Sequence, residues 1–290
     1  MEERALAARL EAELGRPVRI LTKLGEPRTE RATWAVEAAG AGELVVKVRH
    51  GDRADEKTLW TEANLPLLAA RGYPVPELVW HGRLEGEWYA IAERRLPGAS
   101  LDTLTPSLVA ALLALVELQA DAGIDAGPRD FAAYQSFVLF DGWDGVWTDA
   151  EAAGADARRL CDRLRRWLRP VWGHRLPAAD FAHNDLNCSN VLAEGGAITG
   201  VVDWDEFSLN SRAVDLAAVA FDCERLGLDA EADEVLGRIA EIAGEEGRRC
   251  VLSYRAISSV AAFARSLGHA TIPDRVAAAE RLLARLGAPR

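Results

Sequence analysis

The chain has 290 residues, 49% of them hydrophobic and 27% charged, which is enough for one large bilobed domain or two smaller ones with real cores and excludes a disordered chain. Its net charge of −11 argues against nucleic acid as a partner, and no apolar run reaches the length of a membrane span. Four well-separated cysteines, Cys161, Cys188, Cys223 and Cys250, form no Cys-x2-Cys pair, so neither a zinc site nor a disulfide framework is indicated.

The opening MEERALAARLEAELG carries Leu6, Leu10 and Leu14 at helical spacing and stops at Gly15. It reads as a charged packing helix rather than a signal peptide, so a soluble cytoplasmic protein is expected. Residues 18–24, 33–38 and 44–49 read as three short strands, with Gly40-Ala41-Gly42 turning the second into the third. The first two are joined by Leu24-Gly25-Glu26-Pro27-Arg28-Thr29-Glu30, which has one glycine. Lys47 is the single ammonium in an otherwise apolar run, and burying it calls for an anion; the alternative is an edge-strand lysine that snorkels to water. A helix over 57–71 contains Glu62 and breaks at Gly72-Tyr73-Pro74. Strands follow at 77–81 and 86–92, the second running into Glu93-Arg94-Arg95-Leu96-Pro97-Gly98.

The leucines of 106–122 make a buried helix. Residues 131–149 are rich in aromatic and acidic side chains, and Asp141, Trp143, Asp144, Trp147 and Asp149 either cradle a cation by charge and cation-π contact or form a surface loop pinned by two tryptophans. Helices are predicted at 213–226, 231–243, 245–267 and 273–286. Residues 1–100 hold 15 basic and 16 acidic side chains, which leaves 19 and 29 for the remainder. If that remainder builds the acceptor site, its field favours a cationic substrate; the alternative is an acidic surface that serves solubility.

The most informative stretch is FAHNDLNCSNVLAEGGAITGVVDWD, residues 181–205. Asp185 and Asn190 stand five apart in a polar loop, and the apolar runs 191–192 and 198–202, separated by Glu194-Gly195-Gly196-Ala197, read as a hairpin that ends on Asp203. Folding back brings Asp203 close to Asn190, where a carboxylate and an amide oxygen can bind Mg2+, while Asp185 faces an acceptor hydroxyl. Asp205 and Glu206 add two acids beside Asp203. An Asx-rich connection between strands is the bland alternative.

His183-Asn184-Asp185-Leu186 with Asn190, then Val202-Asp203-Trp204, then Asp215-Leu216-Ala217, resembles the kinase-like phosphotransferases that include the aminoglycoside phosphotransferases. Their usual form is HGDL-x4-N, I/V-D-W and DLA, and protein kinases share the plan. The resemblance covers roughly 18–267. It implies an α+β, bilobed protein-kinase-like fold, with a small antiparallel β-sheet N-lobe carrying a helix over 1–96 and a larger, mostly α-helical C-lobe over 97–290.

By the same resemblance Asp185 is the catalytic base, Asn190 and Asp203 hold Mg2+, and His183 and Asp215 shape the loop. Lys47 contacts the α and β phosphates and Glu62 holds it, with Glu56 as a rival. The backbone of Glu93, Arg94, Arg95 and Leu96 meets the adenine, and Arg28 and Thr29 are the phosphate-loop contacts. The chain departs from the family at that loop, which has no GxGxxG. It departs again at Asn210-Ser211-Arg212, where Gly-Asp-Pro is usual.

The implied activity is O-phosphotransfer from ATP, with GTP as the alternative, to a small cationic hydroxyl-bearing antibiotic. An aminoglycoside or a tuberactinomycin-type peptide such as viomycin or capreomycin fits, with Asp141, Trp143, Asp144, Asp205 and Glu206 as acceptor-site candidates. Neither nucleic acid nor membrane is an expected partner, and the chain is a monomer or homodimer. The rivals are a metabolite kinase of the choline, homoserine or fructosamine type and a non-catalytic kinase-like binding protein.

Overall fold

The computed structural model describes residues 3–28, 31–50, 54–84, 86, 88–122, 131–142, 145–265 and 271–289. The chain divides into two compact units. The first comprises Met1–Ala99, Leu192–Glu194 and Thr199–Asp205, and the second Ser100–Val191, Gly195–Ile198 and Glu206–Arg290.

In the first unit, helix Glu3–Leu14 (α1) precedes strands Val18–Arg28 (β1), Arg31–Ala38 (β2) and Gly42–His50 (β3). Helix Ala54–Ala70 (α2) and strands Leu78–Arg83 (β4) and Trp88–Arg94 (β5) complete it. The five strands form one antiparallel sheet in the order β1-β2-β3-β5-β4. Leu44, Val46 and Val48 of β3 are buried in one core with Trp34, Val36, Ala90, Ala92 and, from α1, Leu6 and Leu10. A side-chain period of two therefore turns Val45, Lys47 and Arg49 to the other face. Lys47 pairs with Ile91 and Val45 with Glu93 across the ladder, which puts Lys47 and Glu93 on that same face as diagonal neighbours. Along α2, Thr58, Thr61, Leu65 and Leu68 are buried at helical spacing, and Glu62 falls just outside the stripe, exposed.

The second unit begins with the two-residue strand Ala99–Ser100 (β6), shared at its edge, and helices Pro106–Glu117 (α3), Phe131–Phe140 (α4), Val146–Ala152 (α5) and Ala155–Leu168 (α6). Strands Asp180–Ala182 (β7), Val191–Glu194 (β8), Ala197–Val201 (β9) and Ser208–Asn210 (β10) come next in the chain, and of β8 and β9 residues 192–194 and 199–201 are counted with the first unit. Helices Ala213–Leu226 (α7), Asp229–Arg265 (α8) and Ile272–Arg285 (α9) complete the second unit. Strands β8 and β9 pair as the expected hairpin, turning through Gly195 and Gly196 with φ of 60° and 83°. The helical run α8 is interrupted at Gly244, where φ is 70° and ψ 174°, the point that separates the two helices expected there.

Three stretches differ from the sequence reading. Strand β1 continues through Gly25-Glu26-Pro27 to Arg28, where a loop was expected, because the β1–β2 ladder resumes after an irregularity with Arg28 opposite Arg31. In 131–149, Phe131, Val138 and Phe140 of α4 and Trp147 of α5 are buried, and the Trp147 indole donates to the Val138 carbonyl at 2.8 Å. Those aromatic rings are core, because both segments fold into helices whose apolar sides face inward. Trp143 and Asp144 lie outside the described residues, and so does Thr29. Helix α6 went unrecognised although Leu160, Leu164, Trp167 and Leu168, all buried, carry a helical period.

Strand β7 pairs antiparallel with β10, Phe181 opposite Leu209. Phe181, fully buried, stacks on Phe207 at 5.2 Å with an interplanar angle of 4°. This pair fixes the start of the polar loop that follows β7 against the segment that leads into β10. Phe181→Ala is expected to cost about 3–5 kcal/mol of unfolding free energy in urea, and Phe181→Leu, which refills much of the space, clearly less. Equal losses would mean that the ring stack does not anchor the loop.

Candidate active site

The loop 183–190 is organised by one buried carboxylate. Asp215, near the start of α7, is fully buried and accepts from the backbone amides of His183 and Asn184, both at 2.7 Å, and from the Gln119 side-chain amide at 2.9 Å. Burial raises its pKa above the ordinary carboxylate value, opposed by His183 and these donors. Asn184 has φ of 66°, a left-handed conformation that explains the glycine of the usual HGDL pattern. Its side chain donates to the Glu206 carbonyl at 2.6 Å and to Ser208 Oγ at 2.8 Å, and accepts from Asn210 Nδ2 at 2.8 Å. The two asparagines that replace usual glycines, Asn184 and Asn210, are thus bonded to each other. Arg212, at the position of the usual proline, donates to both oxygens of Asp180 at 3.1 Å and to Glu117 at 3.3 Å.

Asp185 follows, its side chain 45% exposed. Its Oδ1 accepts from Asn187 Nδ2 at 2.9 Å and from Arg255 Nη1 at 3.0 Å. The Asn190 amide nitrogen donates to the Asp185 carbonyl at 2.9 Å. A carbonyl can only accept, so this bond fixes which end of the Asn190 amide is nitrogen and leaves its oxygen as a hard donor for a cation. His183 is fully buried and accepts the Asp185 amide at 3.3 Å through Nδ1, an orienting role. The Cys188 thiol is raised well above its ordinary pKa by burial and by Asp222, which makes it a packing group and not a nucleophile.

In the first unit, Asp203 sits just beyond β9 with φ of 65°, an uncommon conformation for an aspartate. It is set by its neighbours. The Val201 amide donates to the Pro74 carbonyl at 2.8 Å, and the Trp204 indole, buried edge-on against Tyr73, donates to the Val201 carbonyl at 2.8 Å. Lys47 Nζ lies 3.0 Å from Glu93, with side-chain exposures of 13% and 6%. Burial works against the ammonium, but Glu93, Asp205 and Asp203 outweigh it and raise the Lys47 pKa. Lys47 is therefore a compensated, charged lysine and not a snorkelling one. Asp205 is ion-paired with Arg49, both side chains 11% exposed. The sequence reading missed Arg49, although it stands two residues from Lys47 on the same strand face.

The expected partner of Lys47 needs correction. Glu62 is not on Lys47; it accepts from His81 Nε2 at 3.0 Å, and the His81 Nδ1 side meets the Tyr89 hydroxyl. The sheet register already supplies Glu93 to the lysine, and Glu62 sits at the solvent edge of α2. Glu93 thus acts through its side chain. The backbone amides of Arg94 and Arg95 are engaged by the carbonyls of Glu77 and Glu43 at 2.8 and 3.0 Å, and their guanidiniums pair with the same two glutamates at 2.7 Å. Leu96 follows them, lining a cavity of about 430 Å³ with Glu43, Arg95 and Gly98. Of the acceptor-site candidates, Asp141 and Glu206 are exposed, Asp205 is taken by Arg49, and Asp149 is paired with Arg265. A second cavity, about 640 Å³, lies between α6 and α9 and touches none of these residues. Arg163 on its wall donates to the carbonyls of Ala288 and Pro289 at 2.9 Å, a packing seam for the end of the chain. Among the described residues no group of three His, Cys, Asp or Glu can hold a metal by itself, and no helix is long and apolar enough to cross a membrane.

The loop braced by Asp215, with Asp185 and Asn190 in place, fits the comparisons with known proteins. Residues 22–254 match the model of the phosphotransferase enzyme family. The chain belongs to this family. It is a phosphotransferase with the kinase-like α+β fold, a small antiparallel sheet with a helix and a larger, mostly helical part. Among solved structures it resembles a thermostable mutant of the aminoglycoside phosphotransferase APH(4)-Ia in its apo form, at 19% identity with a TM-score of 0.72, covering 98% of this chain and 100% of that one. It also resembles the spectinomycin phosphotransferase APH(9)-Ia in complex with ADP and spectinomycin, at 14% identity and 0.68, covering 97% and 98%. A third is a putative fructosamine-3-kinase from Thermobifida fusca YX-ER1, at 21% and 0.62, covering 97% and 100%. No curated protein matches the chain.

Two substitutions test the lysine assignment side by side. Glu93→Gln strips the anion from a nearly buried ammonium and is expected to cost about 3 kcal/mol in urea unfolding. Glu62→Gln, in an exposed pair, should change stability by less than about 1 kcal/mol. Similar losses in both would restore Glu62 as the lysine's support. Asn184→Ala should cost about 2–4 kcal/mol by stranding its partners and placing a Cβ at positive φ, and Asn184→Gly should be milder.

Proposed function

We propose that this phosphotransferase moves the γ-phosphoryl group of ATP, with GTP as the alternative donor, to a hydroxyl of a small molecule, with Asp185 as catalytic base. The observation that carries the reading is the clamped 183–190 loop, whose one half-exposed carboxylate is Asp185 and whose Asn190 amide is fixed with its oxygen available. The acceptor oxygen attacks the γ-phosphorus, the bond from that phosphorus to the β–γ bridging oxygen breaks, Asp185 takes the hydroxyl proton, and ADP leaves. Lys47, held by Glu93, steadies the α and β phosphates. Asn190 and Asp203 would hold Mg2+ through an amide oxygen and a carboxylate, hard donors of the kind that ion takes. When bound, the ion neutralises charge on the phosphates. With the amides of Arg94 and Arg95 engaged, Leu96 is the remaining adenine contact of the 93–96 segment.

The first acceptor reading is a cationic antibiotic hydroxyl. It is supported by neighbouring structures of aminoglycoside and spectinomycin phosphotransferases and by the acid excess of residues 101–290. A second reading, a small-metabolite kinase, is favoured by one observation: the ionic partner of Asp185 is Arg255, a cation where a cationic substrate would meet repulsion.

Asp185→Ala is expected to lower kcat about 10²–10⁴-fold while Mg–ATP still stabilises the protein against heat. Asp203→Ala should lose that stabilisation, as should the wild type in excess EDTA. Undiminished turnover in Asp185→Ala would remove this residue from the mechanism.

A further inference from the structure

The surroundings of Asp185 carry more positive charge than the acidic composition of the chain leads one to expect. Arg255, on α8, donates Nη1 to Asp185 Oδ1 at 3.0 Å, and its side chain is only 18% exposed. Arg275, on α9, donates Nη1 to Ser259 Oγ at 2.8 Å and lies over the Phe263 ring at 3.6 Å. Ser259 is one helical turn beyond Arg255, so the two guanidiniums flank the same turn of α8. Burial first, and then Arg255, bring the Arg275 pKa down to about 10, with Asp222 and Asp185 acting in the opposite sense. Three donor groups here have no hydrogen-bond partner among the described residues although buried: Arg255 Nε, Ser258 Oγ and Arg275 Nε. Ser258 is three residues from Arg255, on the same face of the helix.

Unsatisfied buried donors are costly, and two neighbouring guanidiniums repel each other. The nearby acids offset this only in part. Asp185 engages Arg255, and Asp222 accepts the Cys188 amide at 2.9 Å and lies 3.4 Å from Arg225. Elsewhere in the unit several acids are already matched: Glu224 pairs with Arg281 and Arg285, Glu280 with Arg163, and Glu117 with Arg212 and Arg238. The acids that act on Arg275 are these same two, Asp222 and Asp185, and each already has a cationic neighbour, Arg225 and Arg255.

We propose that the acceptor carries an anionic oxygen group, a carboxylate or a phosphate, bound by Arg255, Ser258 and Arg275 while its hydroxyl meets Asp185. This rests on the phosphotransferase reading with Asp185 as base; it concerns one group of the acceptor, and a zwitterion with amino groups elsewhere satisfies it too. Guanidinium forks match oxyanions, and a bound oxyanion gives Arg255 a partner other than Asp185. It thereby frees Oδ1 for the acceptor hydroxyl. Arrival of the acceptor and release of the base become one event.

The test is a phosphotransfer assay of the full chain with Mg–ATP against small hydroxycarboxylates, each beside its methyl ester, and polyol monophosphates, each beside the free polyol. Aminoglycosides and neutral macrolides form a third arm. The expected result is product from at least one anionic acceptor with kcat/KM at least about tenfold above its neutral counterpart. Which anionic arm responds identifies carboxylate or phosphate. Arg275→Gln should raise KM for that acceptor about tenfold or more and bring the acid-to-neutral ratio towards one, Arg275→Lys should keep part of the preference, and Ser258→Ala, which barely perturbs packing, should shift KM in the same direction. Absence of product from every anionic acceptor overturns the proposal, whether or not another arm reacts, and so does a preference unmoved by Arg275→Gln and Ser258→Ala. Product from the aminoglycoside or macrolide arm alone leaves the phosphotransferase reading standing. Failure of that reading looks different: no product in any arm and no stabilisation by Mg–ATP.

Discussion

A carboxylate withdrawn from water must be given donors, and in this protein Asp215 receives them from the loop that presents Asp185 and Asn190. Because two of those donors are backbone amides, the bond geometry constrains the chain path and not just a side chain. His183 and Asn184 are drawn onto the start of α7, Asn184 is left at positive φ, and Asp185 emerges half-exposed at the next position. The aromatic stack of Phe181 on Phe207 anchors the start of the same loop from the apolar side. Directional polar bonds specify the turn, and burial supplies the energy that keeps it.

The first unit solves a similar problem with ion pairs. Alternation along β3 gives one face to the core and the other to Lys47 and Arg49, and each of these cations meets its own acid, Glu93 and Asp205. Removing any one partner strands a charge, so the four side chains stand or fall in pairs. Asp203, two residues from Asp205, is held by the same stretch of chain through Trp204 and Val201. Lys47 feels Glu93, Asp205 and Asp203 together, an anionic surrounding that keeps it protonated.

The second unit shows how poorly net charge predicts local potential. Its acids are numerous, yet several of those described, among them Glu117, Asp180 and Glu224, are paired with arginines from other elements, and Asp185 faces Arg255. In the reading proposed above, acceptor selection depends on the few unmatched groups near Asp185, which is a matter of packing between α8 and α9 and not of composition.

Much was legible in the sequence. Period-two alternation marked the sheet of the first unit, leucine spacing marked α1, α3 and the late helices, and the spacing of Asp185, Asn190, Asp203 and Asp215 marked the family, because short-range chemistry such as a braced loop or a metal-ligand pair requires fixed residue types at fixed intervals. What the sequence by itself determined is therefore the element types, the hairpin after Asn190, the phosphotransfer chemistry and the demand of Lys47 for an anion. Only the tertiary structure decided which anion answers that demand. Strand register, a long-range property, delivers Glu93 and leaves Glu62 to His81. It likewise decided that Trp147 is core, that Asn184 and Asn210 stand in for two glycines by bonding to each other, and that Arg255, seventy residues away in the chain, lies against Asp185. Contacts between distant segments leave no period in a sequence, since each depends on how two surfaces pack and not on any local spacing.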